Sequence, residues 1–188
     1  ARCEKPGWSK TGFDHSKWRS VSVLAAPKGR LRSQTAPAMK VQDTFKPSKI
    51  TKHKSGGWMF EFDRYFSGWM LVKAKGNSGD KVTIHYELGE KDTYILKGEP
   101  AGETYEARFT IHPVRYVHVE GLKGKPTPET VMGREVYSDI DMYGRFACSN
   151  KLFNQIHGNI QRTMRVALKG FLLDCLHREP IFYNEPAS

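Results

Sequence analysis

Short β-forming segments that recur about every dozen residues constrain this fold more than any other feature of the sequence. These segments are rich in β-branched and aromatic side chains, and they span residues 58–62, 68–74, 81–87, 105–111 and 114–119. Turn-forming glycine, asparagine and proline separate them, as at 76–80 and 98–102. Regularly spaced short strands with turns between them predict a mainly β fold, an antiparallel β-sandwich of the jelly-roll type with two sheets.

Alternation within the segments predicts which side chains form the core. Val82, Ile84 and Tyr86 alternate with polar residues, so one face of that strand is expected to be buried and the other wet. Phe62 and Trp69 occupy comparable positions in their own strands, and we expect both in the core. A further short strand is predicted at 20–25.

The period of the apolar residues changes after residue 148. Leu152, Ile156 and Ile160 lie four residues apart, Asn150 is suited to cap a helix, and Gly170 is suited to stop one. These signals predict an amphipathic helix of about 20 residues, longer than the usual helix of about 11. A helix of this kind has little reason to end a β domain, so we expect it to begin an α-helical domain.

Charge and cysteine content argue against several classes of protein. The net charge of +10 resides wholly in residues 1–54, which hold 13 Lys or Arg against 3 Asp or Glu. The charges are single and dispersed, so a solvated face is favoured over a nucleic-acid surface. No run approaches the roughly 20 apolar residues that cross a bilayer, so no membrane contact is predicted. Three widely spaced cysteines indicate neither a disulfide framework nor a zinc site.

Four histidines of the β region and the predicted helix offer no ligand spacing in the sequence. They stand singly, and we expect surface or core roles rather than metal binding for them. The residues in question are His85, His112, His118 and His157.

The closing segment holds the densest group of reactive side chains. Its members are Asp174, His177, Arg178, Glu179, Tyr183 and Glu185. Carboxylates bind hydroxyl groups and move protons, and aromatic rings face the apolar side of a pyranose, so this composition suits a sugar site. The residues alone leave a second interpretation open, in which Asp174 and Arg178 form an ordinary loop ion pair.

A set of motifs in a shared order resembles bacterial α-L-rhamnosidases. The matching residues are 7–8, 13–14, 18, 29–34, 60–63, 68–69, 97–98, 108–110, 115–121, 138–139, 144–150 and 174–179. Each motif is common, but their order and spacing over nearly the whole chain make a chance match improbable. The resemblance implies β-sandwich domains before an (α/α)6 barrel that hydrolyses terminal α-L-rhamnosyl bonds with inversion, without a cofactor.

The same resemblance suggests roles for the closing segment. Glu179 matches the general acid, Asp174 matches a carboxylate that holds rhamnose hydroxyls, and Arg178 matches an arginine that orients the acid. His177 and Tyr183 are expected to contact substrate. Glu185 aligns loosely with the family's third carboxylate.

The closing segment also departs from the family pattern. Leu176 stands where the family has proline, and residues 182–185 replace a Gly-Trp-Thr-Gly-Asp stretch. Substrate preference is therefore expected to differ from that of other members. The resemblance places the catalytic base beyond Ser188.

The resemblance also implies a domain division and a set of partners. Residues 1–45 would end an N-terminal β accessory domain, 46–137 would form the sandwich, and 138–188 would begin the truncated catalytic domain. The substrate would be a rhamnosylated glycan or glycoside, and exposed barrel-facing surface would favour a homo-oligomer. Localisation stays open, with a periplasmic or secreted site favoured.

A different class of function competes with the enzyme. The sandwich would then be a free-standing carbohydrate-binding module. Its stacking residues would be drawn from Trp58, Tyr65, Trp69 and Tyr94.

Overall fold

A computed structural model describes residues 3–141, 143–176 and 178 of the chain. The described residues form eight strands and one helix: β1 Met39–Phe45, β2 Lys49–Lys52, β3 Trp58–Ala74, β4 Lys81–Tyr86, β5 Lys91–Ile95, β6 Glu103–Glu106, β7 His112–Glu120, β8 Val131–Ser138 and α1 Lys151–Ala167. The pairings between these strands are antiparallel. The predicted fold class, mainly β with one amphipathic helix at the C-terminal side, is confirmed.

The strands join in one continuous sheet that curls around its own core. Its order is β1-β8-β3-β7-β4-β5, and β2 and β6 pair with the two ends of β3. β3 is 17 residues long, and its pairing with β7 shifts register between Glu61 and Phe66. Because an irregularity of this kind bends a strand, the eight strands form one curled sheet where the sequence indicated two separate sheets.

The core consists of the inward-facing residues of this curled sheet. Val82, Ile84 and Tyr86 are buried as predicted, and Phe62 is 1% exposed. Trp69 is only half-buried, because its indole Nε1 donates a hydrogen bond of 2.9 Å to Glu106 Oε2 at the sheet surface.

Several element boundaries differ from the sequence-based expectations. Segments 58–62 and 68–74 belong to one strand, β3, rather than two. The strand predicted over 105–111 is shorter, since Phe109 adopts a positive φ of 69° and is exposed. Residues 20–25 form no strand.

The helix α1 lies against the sheet by its C-terminal end. Asn150 caps it, because its side-chain oxygen accepts a hydrogen bond of 2.9 Å from the Leu152 amide. All residues of α1 are described and none is buried, so its apolar stripe faces outward. Within the part of the chain that the structure describes, no helix has the length and apolarity that a membrane span requires.

Candidate functional site

The backbone that leads to the predicted sugar site is tied to the end of the sheet. Directly after α1, the Leu168 carbonyl accepts a hydrogen bond of 3.0 Å from the Ser138 amide at the end of β8. The Leu173 amide then donates to the Ala167 carbonyl at 3.0 Å, and Leu168 forms a bridge with Leu172. Residues 167–173 therefore form a compact turn held against β8.

Side chains reinforce this attachment from inside the sheet. Ser67 of β3 is fully buried, and its Oγ accepts a hydrogen bond of 2.6 Å from Lys169 Nζ. The same hydroxyl donates to the Val166 carbonyl at 3.2 Å, and Lys169 also donates to the Val136 carbonyl. The Gly170 amide donates to Ser138 Oγ at 2.6 Å. The turn is thus bound to both central strands, β3 and β8.

Two titratable groups beside the turn are shifted by their environment. Burial lowers the pKa of Lys169 to about 8, a shift that the charge of Glu135 opposes. Burial raises the pKa of Glu135, while the Arg64 guanidinium, 3.6 Å from its carboxylate, acts in the opposite direction. Both shifts follow from removing a charge from water, so the turn is anchored in a poorly hydrated part of the sheet.

A polar cleft lies between this part of the sheet and α1. It has a volume of about 340 Å³. Charged lining residues come from both sides: Asp43, Arg64, Glu135, Arg162 and Arg165. Arg64 is paired with Asp43 at 3.2 Å as well as with Glu135, so its charge is largely neutralised within the protein.

Only part of the predicted sugar site falls within the described residues. Asp174 is exposed and follows the anchored turn directly, and Arg178 is exposed four positions later. The remaining predicted site residues, His177, Glu179, Tyr183 and Glu185, lie outside the described residues. The tertiary structure therefore fixes the backbone that immediately precedes the predicted sugar site.

Three of the four candidate stacking aromatics are engaged within the protein. Trp58 packs against the core. Trp69 bonds to Glu106, and Tyr94 stacks on Tyr105 while its hydroxyl donates to Glu103 at 2.7 Å. Tyr65 is 58% exposed, with a guanidinium group near its ring. Of these four described side chains, Tyr65 alone is exposed, and the other three are partly buried.

The structure brings together histidines that stand apart in the sequence. His85 of β4 is directly opposite His118 of β7, and their rings stack with centroids 5.4 Å apart. Glu120 and His53 lie beside the pair. The sequence carried one signal for this group, the two-residue spacing of His118 and Glu120, but the strand register was needed to add His85.

Three domain families, all described as α-L-rhamnosidase domains, match parts of the chain. The alpha-L-rhamnosidase N-terminal domain matches residues 1–43, the bacterial alpha-L-rhamnosidase concanavalin-like domain matches residues 87–137, and the bacterial alpha-L-rhamnosidase 6 hairpin glycosidase domain matches residues 141–188. This chain belongs to the bacterial α-L-rhamnosidase family. The third match contains α1, the anchored turn and the whole predicted sugar site.

Solved rhamnosidases share the fold of the chain. The α-L-rhamnosidase from Dictyoglumus thermophilum is 33% identical with a TM-score of 0.82, and the match covers 92% of this chain and 21% of that one. The Streptomyces avermitilis α-L-rhamnosidase, solved in complex with L-rhamnose, is 27% identical with a TM-score of 0.82, covering 92% of this chain and 18% of that one. The prediction of a rhamnosidase-like chain is confirmed.

A curated relative agrees with the structures. The Formosa agariphila α-L-rhamnosidase is 26% identical over 200 residues, which cover 95% of this chain and 21% of the relative. The chain spans about a fifth of the length of such relatives. The match therefore corresponds to one part of a longer α-L-rhamnosidase chain in each relative.

Proposed function

We propose that this chain is part of an enzyme that hydrolyses terminal α-L-rhamnosyl linkages with inversion of configuration. The observation that carries the proposal is the match of residues 141–188 to the glycosidase domain of the family. That match includes the carboxylate-rich segment after α1. The substrate class is a rhamnosylated glycan or glycoside.

In this proposal Glu179 protonates the departing glycosidic oxygen. Asp174 accepts hydrogen bonds from rhamnose hydroxyls, and Arg178 orients the acid. His177 and Tyr183 contact the sugar, and Glu185 serves as a further carboxylate. A carboxylic acid retains its proton near neutral pH when burial or a neighbouring carboxylate raises its pKa, and the density of carboxylates in this segment is consistent with that requirement.

Inversion requires a second carboxylate that activates water on the opposite face of the sugar. The two carboxyl groups are then about 6.5 to 9.5 Å apart, which leaves room for that water. We assign the base to sequence outside these 188 residues. It follows that the isolated chain hydrolyses no rhamnoside.

The curled sheet acts as a scaffold in this proposal. The contacts of Lys169 with Ser67 and Val136 hold the turn that immediately precedes Asp174. Catalytic carboxylates need fixed positions relative to the bond they cleave, because small displacements reduce the rate strongly. A turn bound to two central strands meets that need.

Hydrolysis of aryl α-L-rhamnosides tests the assignment. The proteins to compare are this chain and the polypeptide encoded by the complete reading frame that contains it. Activity is expected in the latter, with β-L-rhamnose as the first product by NMR. Retained configuration, or no activity in a folded complete polypeptide, would refute the proposal.

The dependence of activity on the leaving group tests whether Glu179 is the general acid. In the complete polypeptide, Glu179→Gln is expected to remove most activity on alkyl rhamnosides and less on nitrophenyl rhamnosides, because a good leaving group needs little protonation. Glu99→Gln, at an exposed surface position, is the matched control. An equal loss on both substrates would contradict the role of Glu179. Asp174→Asn should instead weaken the binding of L-rhamnose.

The alternative function, a carbohydrate-binding module, is separated by a binding experiment. A module would bind rhamnose through its own aromatic platform without the catalytic domain. The internal contacts of Trp58, Trp69 and Tyr94 favour the scaffold instead. Calorimetric titration of the isolated chain with rhamnose is expected to give no heat of binding. The Tyr65→Ala variant is expected to give the same result.

A further inference from the structure

Two histidines and a glutamate converge on one face of the sheet, on strands β4 and β7. His85 and His118 are directly cross-strand, and Glu120 is two residues beyond His118, so all three side chains project from the same face. One ligand atom from each lies within 4.8 Å of the others. Nε2 of His85 is 3.3 Å from Glu120 Oε2, and Nε2 of His118 is 3.9 Å from Glu120 Oε1.

The turn between β2 and β3 holds His118 in place. His118 Nε2 lies 2.7 Å from the Gly56 carbonyl, and the His53 ring packs on the His118 ring with centroids 4.1 Å apart. Gly57 makes this approach feasible, since a Cβ there would lie 3.0 Å from His118 Nε2 and 2.5 Å from the Val119 carbonyl. The side chain of His118 is only 13% exposed, whereas those of His85 and Glu120 are 39% and 46% exposed. The cluster thus has one shielded member and two that solvent ions reach.

The donor set matches the chemistry of zinc. Zinc binds imidazole nitrogen and carboxylate oxygen at about 2.0 to 2.2 Å, and three protein ligands with one open position are a common arrangement. Tetrahedral coordination at these lengths places donor atoms about 3.3 Å apart. His85 and Glu120 already have that separation. His118 reaches it by a small ring rotation that exchanges the Gly56 carbonyl for the metal.

We propose that His85, His118 and Glu120 form a zinc-binding site on the outer face of the curled sheet. The fourth position is taken by water. The ion would link β4 to β7, so that zinc stabilises the folded chain by an amount that grows with the logarithm of the free zinc concentration once this exceeds the Kd. The site uses different strands from those that anchor the turn before Asp174.

Calorimetric titration of the metal-free, untagged 188-residue chain with zinc chloride tests this site. One zinc ion per chain is expected, together with a rise in Tm. His85→Ala and Glu120→Gln should each weaken binding by about tenfold or more, because each removes a ligand. His15→Ala removes an exposed histidine of the N-terminal region and should leave the affinity unchanged. No binding, or equal affinity in His85→Ala, would overturn the proposal.

Cobalt spectroscopy separates this site from any thiolate site in the chain. Cobalt bound by two imidazoles and a carboxylate lacks the sulfur charge-transfer band that a cysteine ligand produces, and Cys175→Ser should leave both spectrum and affinity unaltered. A sulfur band that disappears in Cys175→Ser would place the metal at the closing segment and refute the assignment. If circular dichroism shows that His85→Ala is unfolded, the half-exposed Glu120→Gln decides the question alone.

Discussion

Lys169, two residues beyond α1, donates a hydrogen bond of 2.6 Å from Nζ to the buried Oγ of Ser67 in the middle of β3. The two residues are 102 positions apart in the sequence. This contact joins the segment that carries the proposed catalytic carboxylates to the centre of the sheet. The scaffold and the proposed site are therefore coupled through a polar contact that is shielded from water.

Removing the Ser67 hydroxyl should loosen that attachment. Ser67→Ala deprives a buried ammonium group of one acceptor and the Val166 carbonyl of a donor, so we expect a loss of about 2 kcal/mol in the free energy of unfolding. Denaturant titration measures the loss, and hydrogen exchange at the Leu173 amide should accelerate. Ser48→Ala, which removes an exposed hydroxyl bonded to the Glu61 carbonyl, is the control and should change stability by less than about 0.5 kcal/mol. Equal effects of the two variants would contradict the coupling.

Glu103 should make the chain sensitive to acid. Burial alone would raise its pKa, but hydrogen bonds from the Lys97 amide, the Tyr94 hydroxyl and the Gly98 and Glu99 amides outweigh burial and lower the pKa to about 2. A carboxylate with a folded pKa below its unfolded value of 4.5 stabilises the fold above pH 4.5. That contribution is lost as the pH falls from about 4.5 to about 2.

Glu103→Gln is the variant that isolates this effect. The amide oxygen can accept from only one of the two pairs of donors, its NH2 group cannot accept, and the amide does not titrate. The wild-type chain should therefore have the higher Tm at pH 6, and the difference should shrink towards about pH 2.5. The control is Glu90→Gln, which removes a different carboxylate, in the turn between β4 and β5. A difference in Tm that stays constant with pH would contradict the role of the Glu103 charge.

Gly68 of β3 should tolerate no side chain. A Cβ at this position would lie 1.7 Å from the Arg134 carbonyl oxygen, a backbone atom of the neighbouring strand β8. Gly68→Ala is therefore expected to separate β3 from β8 and to destabilise the fold by about 4 kcal/mol or more. Gly158→Ala provides the contrast. Gly158 belongs to α1, and a Cβ there would have no other atom within 4 Å. Alanine stabilises a helix relative to glycine by about 1 kcal/mol. Thermal unfolding should show opposite signs for the two variants.

The apolar stripe of α1 should make the isolated chain associate. Its large side chains are about half exposed: Leu152, Phe153, Ile156, Ile160 and Met164. An apolar surface of this kind usually contacts another protein surface. Size-exclusion chromatography is expected to show concentration-dependent oligomers, and Ile160→Lys should shift the equilibrium towards monomer. Thr163→Lys, which adds the same charge at an exposed position, is the control. A monomeric wild-type chain at high concentration would contradict this expectation.

Local patterns predicted several elements of this fold because they depend on neighbours within a few residues. The alternation of Val82, Ile84 and Tyr86 is enough to define a strand with one buried face, and the three- and four-residue spacing after residue 150 is enough to define α1. The composition of residues 174–185 likewise indicates a candidate sugar site. These predictions rest on side-chain periodicity and chemistry, which are readable along the chain.

The contacts between these elements could not be predicted from local sequence patterns. The pairing of His85 with His118 depends on the register of β4 against β7, and the contact of Lys169 with Ser67 depends on where α1 ends relative to β3. Register and docking result from the packing of the entire core at once, since a slip of one residue would turn every buried side chain outward. Local patterns thus specified the central strands β3, β4 and β7, the helix and the reactive segment, while β1, β2 and β5 were not predicted. Collective packing determined which distant residues meet.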